Sequence, residues 1–311
     1  MINFVRTKII WFTLSGILVI ASVGALFVWG LKLGIDFTGG TLIEVTFQDA
    51  TFPSQGEAAE NIKTTIENIQ NEKAEKIFTG VVVQPSGEKD AVIKLRYVSN
   101  DERQQVLDVL GKTYGSVTEK RFETIGPSIG KELQRKSLQA ILLVLVAIII
   151  YISWAFRKVS SGPVPSWAYG VSAILALIHD VLIVIGMMSA LGYFLGVEID
   201  SLFITAILTV LGFSVHDTIV VYDRIREQLR KNLASPFHEI INASIHSTLL
   251  RSINTSLTTV IVLVALLFFG GATLKYFLLA LIVGIISGTY SSICIASPLL
   301  LYWQKLLQKK L

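Results

Sequence analysis

Charge is scarce in this chain of 311 residues: Asp, Glu, Lys and Arg together make up 16% of it, against about 25% in an average soluble domain. Cysteine is scarcer still. The single Cys294 lies within an apolar run, which excludes a disulfide framework and a cysteine-based metal site. Of the four histidines, His238 is followed by Glu239 but by no second histidine four residues on, so the zinc-protease pattern is absent. The net charge is +4 and the isoelectric point about 9.0. The basic residues form no nucleic-acid signature, and their placement reads instead as membrane orientation.

What the chain has in abundance is apolar sequence. Hydrophobic residues reach 52% and the mean hydropathy is +0.62, more than a soluble core of this length needs. Six stretches approach or exceed the roughly 20 residues that cross a bilayer: Ile9–Leu31, Leu138–Phe156, Trp167–Leu191, Leu202–Tyr222, Ile253–Phe269 and Leu274–Trp303. The first follows Arg6 and Lys8 as a signal peptide would. It is too long for one and lacks a small-residue cleavage pattern beyond it, so it reads as an uncleaved anchor. Arg6 and Lys8, Arg157 and Lys158, Arg224, Arg226, Arg230 and Lys231, and Lys305, Lys309 and Lys310 all fall on one side if both termini are cytoplasmic. Lys131, Arg135 and Lys136 fall on the other side, at the end of a long segment of the kind that escapes the rule.

That segment, about one hundred residues between the first two spans, alternates β and α patterns. Thr41–Phe47, Lys76–Gln84, Ala91–Val98 and Val117–Thr124 read as strands, and Gln55–Asn71 and Asp101–Tyr114 as helices. Ser54 with Glu57 and Ser99 with Glu102 have capping-box spacing, and Pro85-Ser-Gly87 marks the central turn. The order βαββαβ predicts a ferredoxin-like sandwich, an arrangement that hosts many functions. Without cysteine or histidine it reads as a docking or force-transmitting module. The expected organisation is a polytopic α-helical membrane protein with an α+β ferredoxin-like extracytoplasmic domain. Residues 1–33 form the first transmembrane helix, 34–130 the outer domain and 131–311 a five-helix transmembrane domain.

The segment Gly34–Gly40, GIDFTGG, joins the first span to the outer domain. Its paired glycines permit positive φ or close packing, and it lacks the Gly-Lys-Ser/Thr ending of a phosphate loop. The chemistry-bearing residues lie in the membrane. Asp217 interrupts the apolar Leu202–Tyr222 with only His216 beside it, and a carboxylate in hydrocarbon is normally paired, protonated or part of an ion path. Asp180, with His179, sits about ten residues into the third span, near the bilayer midplane. These two neighbours project about 100° apart on a helix, so they are not expected to face one spot. A relay and a structural hydrogen bond to another span are both open for them.

The motifs GIDFTGG at Gly34–Gly40, IGPSIGKEL at Ile125–Leu133, LIHD at Leu177–Asp180, HDTIVVYDRIRE at His216–Glu227, RSINTSLTT at Arg251–Thr259 and GTYSSICIASPLL at Gly288–Leu300 together resemble the SecF family. That family supplies the smaller subunit of the SecD/SecF complex, which assists bacterial protein export. The resemblance implies half of a pseudo-symmetric machine similar to the resistance-nodulation-division (RND) transporters, in which a proton passing intramembrane acids moves an outer domain. It further implies a SecD-like partner, the SecYEG channel with SecA, a preprotein client, and a multi-pass place in the bacterial inner membrane. It carries the functional acid onto Asp217 and the functional arginine onto Arg251, and gives His216 no role.

The chain is consistent with that pair. Asp217 lies about two helical turns, roughly 10 Å, inward of Arg224. Arg251 opens the next, oppositely directed span. A nearby cation and burial act on the acid in opposite senses, which makes its protonation switchable; the plainer alternative is a static pair with Arg251 snorkelling to the interface. Ser252, Asn254, Thr255, Ser256, Thr258 and Thr259 begin the fifth span. They suit close packing and hydrogen bonds across helices, and can also hold water beside Asp217. Gly284 and Gly288 have packing-face spacing, and Asp223 to Glu227 reads as a solvated helix end.

The function expected is therefore proton-driven promotion of preprotein translocation. Asp217 and Arg251 form the relay; Asp180, His179, Thr255 and Ser256 lend further relay or support. No catalytic residue, metal or cofactor is expected beyond the proton gradient, with sodium as the other ion that a carboxylate among hydroxyls serves. An RND-like exporter of lipids or small molecules is the alternative, disfavoured by a single set of six spans. An intramembrane aspartyl protease would need Asp180 and Asp217 in one site and has the wrong flanking patterns for it.

Overall fold

In a computed structural model, residues 3–48, 55–70, 76–86, 89–156, 163–231 and 235–308 are described. The chain divides into two compact units, Leu33–Ser137 and the combination of Met1–Lys32 with Leu138–Leu311. Ser54 of the first capping box, Gly87 of the central turn, and the basic residues Arg157, Lys158, Lys309 and Lys310 lie outside the described residues.

In chain order, helix α1 spans Lys8–Trp29, a single turn α2 Ile35–Thr38, strand β1 Gly40–Phe47, helix α3 Gln55–Glu67, strands β2 Val82–Ser86 and β3 Asp90–Leu95, helix α4 Asn100–Tyr114 and strand β4 Val117–Ile125. The four strands pair antiparallel in the order β2-β3-β1-β4, the topology predicted from the βαββαβ pattern. Alternation in β1 buries Ile43, Val45 and Phe47 on one face, where Ile62 and Ile66 of α3 and Val106 and Leu110 of α4 complete the core. Ser99 and Glu102 form the expected capping box at the start of α4. The predicted strand from Lys76 begins later, at Val82. Pro85 and Ser86 lie in β2, which among the described residues pairs with β3 alone, an edge position where a missing N–H is tolerated.

The α2 turn explains the paired glycines. Gly39 and Gly40 have φ of 75° and 144°, and a Cβ on Gly39 would lie 2.7 Å from Pro127 Cα. No side chain fits there, so GIDFTGG is a junction of backbone against backbone.

One feature of the outer unit depends on pH. Asp90 accepts hydrogen bonds from Lys120 Nζ at 2.7 Å and from Thr46 Oγ1 at 2.6 Å, tying β3, β1 and β4 together. The Lys120 ammonium first and the Thr46 hydroxyl second hold its carboxyl below the usual range. The stabilisation is full above the unfolded carboxyl value of about 3.9 and disappears as pH falls through the lower folded value. Amide exchange of β1 and β3 is expected to accelerate across that acid window, and Lys120→Met is expected to move the acceleration to higher pH. An unchanged exchange profile in Lys120→Met would contradict the tie.

Six helices are long and apolar enough to cross a membrane. They are α1; α5, Pro127–Ala155; α6, Ser166–Leu195; α7, Ser201–Lys231; α8, Phe237–Phe269; and the last span, built from α9, Lys275–Ser291, a π-helical turn, Ser292–Ala296, and α10, Ser297–Gln308. The protein is thus multi-pass. Helices α7 and α8 continue past their apolar windows, to Lys231 and back to Phe237. The most apolar stretch of the last span is 78% buried and those of α6 and α7 are half buried, whereas α1 and α5 bury 6% and α8 11%. The bundle core is therefore α6, α7 and the last span, with α1, α5 and α8 showing apolar faces such as Ile20, Phe27, Leu143, Ile150, Ile261 and Val262 outward.

Close helix contact depends on small residues. A Cβ on Gly284 would meet Val210 Cγ2 at 2.2 Å, and one on Gly288 would meet Ser214 Cβ at 2.9 Å, so α9 lies directly on α7. A Cβ on Gly186 would meet Ser22 of α1 at 2.3 Å. The π turn follows from Pro298, which offers no N–H to the carbonyl four residues back and whose ring crowds it. Ser297 Oγ donates to Ser292 O at 2.9 Å and Tyr222 OH to Ala296 O at 3.1 Å, satisfying carbonyls in the widened turn.

Candidate proton site and its neighbouring carboxylate

Two carboxylates lie inside the bundle core, in opposite states of satisfaction. Asp217, on α7, is 3% exposed, and its buried Oδ2 has no hydrogen-bond partner among the described residues. Ser252 of α8 and Thr289 of α9 present hydroxyls to this carboxylate, yet Ser252 Oγ is itself buried and without a partner of good geometry. Ser256 of α8 hydrogen-bonds Thr289, whose Oγ1 also donates to Ile285 O at 3.1 Å. The result is a cluster of carboxylate and hydroxyls where α7, α8 and α9 meet, with unfilled capacity at Asp217 and Ser252.

Arg251 is exposed on α8. It acts on Asp217 through space, but no ion pair within 4.0 Å joins them among the described residues. Instead Arg251 lines a cavity of about 230 Å³ with Ala155, Phe156, Ile219, Val220, Asp223 and Arg226. Thr255 is also exposed, its hydroxyl donating to Arg251 O at 2.8 Å. Beyond Asp217 on α7, Arg224 pairs with Glu227 at 2.5 Å and Lys231 with Glu227 at 2.6 Å, with Arg224 and Arg226 only partly exposed.

Asp180, on α6, is 1% exposed and fully engaged. Its Oδ2 accepts from Ser214 Oγ of α7 at 2.6 Å and Ser291 Oγ of α9 at 2.7 Å. Its Oδ1 accepts from Ser287 Oγ of α9 at 2.8 Å and lies 2.9 Å from His179 Nδ1. Three serine hydroxyls from two other helices thus converge on one buried carboxyl group, tying α6, α7 and α9 together. The contact with His179 corrects the expectation that the two neighbours face apart. The imidazole reaches the adjacent carboxylate through Nδ1, while Nε2 stays buried without a partner among the described residues.

Sequence reasoning missed Ser214, Ser287, Ser291 and Thr289. A signal existed in the i, i+4 spacing of Ser287 and Ser291, which puts both hydroxyls on one face of a buried helix. Nothing local said that this face meets Asp180. Among the described residues no group of three or more His, Cys, Asp or Glu side chains is arranged to hold a metal.

Comparison with known proteins agrees with this architecture. The model for the protein export membrane protein SecD/SecF, C-terminal, matches residues 105–306, and that for the SecD/SecF GG motif matches residues 24–51, around GIDFTGG. Protein translocase subunit SecF of Thermobaculum terrenum is 41% identical over 316 residues, covering 98% of this chain and 94% of that protein. Its counterpart in Pseudomonas aeruginosa is 34% identical over 304 residues, covering 97% and 91%. The crystal structure of SecDF, a translocon-associated membrane protein from Thermus thermophilus, superposes with a TM-score of 0.80 at 35% identity over 98% of this chain. This chain spans 39% of that longer one. With a family model over most of its length and near full-length relatives, the chain belongs to the SecF branch of the SecD/SecF family of protein export membrane proteins.

Proposed function

We propose that the chain is a non-enzymatic accessory subunit of the Sec protein translocase, and that it uses the proton motive force to promote preprotein passage across the bacterial inner membrane. Its termini are cytoplasmic and its ferredoxin-like unit lies outside. It works with a SecD-like subunit, beside SecYEG and SecA, on a preprotein client. It needs no bound cofactor; the ion gradient supplies the energy. The relatives named SecF and SecDF support the translocase role.

The observation that carries the coupling mechanism is Asp217: a carboxylate buried in a membrane span, with one oxygen lacking any partner among the described residues. A buried oxygen of this kind is completed by a proton or a small cation, and an intramembrane acid is by default an ion-path residue. Arg251, within electrostatic reach but unbonded, is the group whose approach would favour release of the proton. Binding and release at Asp217 would then alternate two packings of α7 and α8.

The test is late-stage export of a preprotein into inner-membrane vesicles, with and without an imposed proton gradient. The parent complex is expected to export faster with the gradient, and Asp217→Asn to assemble normally and lose the acceleration. A variant that responds like the parent would remove Asp217 from the mechanism. Acceleration by a sodium gradient in place of a proton gradient would identify sodium as the coupling ion.

A further inference from the structure

We infer that Asp180 is a positioning residue: it fixes α6, α7 and α9 in the orientation at which Asp217 meets the hydroxyls of Ser252 and Thr289, and it does not itself carry the coupling proton. The inference rests on the reading of Asp217 as the proton site.

The first argument is occupancy. At Asp180 both oxygens are engaged, Oδ2 by the hydroxyls of Ser214 and Ser291 and Oδ1 by the hydroxyl of Ser287 and the contact with His179 Nδ1. No oxygen of Asp180 is left without a contact. At Asp217 the reverse holds, since Oδ2 has no partner among the described residues.

The second argument is helix geometry. Residues two apart on a helix project about 200° apart. Ser287 and Ser291 therefore point one way from α9, to Asp180, and Thr289 between them points the other, to Ser256 and Asp217. The contact of α9 with α7 runs through Gly284 and Gly288, where the backbones approach with no room for a side chain. The polar bonds at Asp180 therefore help to set the azimuth of α9, and with it the place of Thr289, together with buried Leu278, Leu281 and Ile285 and the bond of Thr289 to Ser256. On α7 the same carboxylate holds Ser214, one turn before Asp217. One buried group thus ties together the two helices, α7 and α9, that carry both sides of the proton site.

The test uses the complete complex in membranes and two readouts. One is gradient-dependent export. The other is the infrared band of the Asp217 carboxyl group, isolated as the difference from Asp217→Asn. Asp180→Asn and the double variant Ser287→Ala/Ser291→Ala are each expected to shift the Asp217 band and lose most of the gradient acceleration. Asp180→Glu is expected to restore neither, because the added methylene moves the carboxylate off its donors. Restoration of export by Asp180→Glu, together with a silent serine double variant, would overturn the inference and make Asp180 a proton carrier. If Asp180→Asn does not assemble, the serine variant decides alone: an unmoved Asp217 band with unchanged export in it overturns the positioning role. Failure of the Asp217 reading is separable, since it would show as a retained gradient response in Asp217→Asn whatever the variants at Asp180 do.

Discussion

Gly284→Leu is expected to leave little folded protein in the membrane. The position has no room even for a methyl group, since an added Cβ would sit 2.2 Å from Val210 Cγ2 and 2.8 Å from Cγ1. Both atoms belong to a β-branched side chain with a single well-favoured rotamer in a helix, so they cannot swing aside. The helices must separate instead, and overpacking by a methylene or two already costs about 1–3 kcal/mol. A leucine would also pull Gly288 away from Ser214, and with it the serines that hold Asp180. Gly284→Ala is the graded version, and Val210→Ala in the same chain removes both clashing atoms. The pair is expected to recover stability that Gly284→Ala loses. Cys294 gives the measurement, being the sole cysteine and buried. Its labelling by a thiol reagent during a temperature ramp should move to lower temperature in Gly284→Ala and return in the double variant. Labelling of Gly284→Leu at the parental temperature would show that α7 and α9 do not depend on this contact.

How far the sequence could be read follows from which interactions are local. The six spans and the βαββαβ order rest on apolar length and alternation, and both are found in the structure. The start of α4 was legible because a capping box lies within four residues. Strand β2 was misplaced because Pro85 reads locally as a turn, and only its edge position makes it acceptable in a sheet. Asp217 was legible because a lone acid in an apolar run is conspicuous. The hydroxyls around Asp180 were not, because serine is a common packing residue in membrane helices and no pattern within α9 says which helix its faces meet. His179 was misjudged by reasoning from Cα directions alone, where a long planar ring can return to its neighbour.

Arg251→Met distinguishes a moving arginine from a static pair. If Arg251 were locked to Asp217 as a buried ion pair, removing it would leave an uncompensated charge and destabilise the protein by about 3–5 kcal/mol. The structure has Arg251 exposed, lining a cavity with Asp223 and Arg226 and forming no ion pair with Asp217 among the described residues. Substitution at such a position generally changes stability by about 0.5 kcal/mol or less. Arg251→Met is therefore expected to unfold, by the Cys294 labelling ramp, within a few degrees of the parent, yet to lose the gradient acceleration of export. The two readouts separate because this packing does not depend on the guanidinium, whereas proton release would: without a cation able to approach, a proton taken up at Asp217 has no group to favour its departure. Arg251→Lys should recover part of the export response, since the charge returns but the guanidinium fork does not. A several-kcal/mol loss of stability in Arg251→Met would instead mean that the resting protein already holds the pair closed, with the arginine as a fixed partner of Asp217.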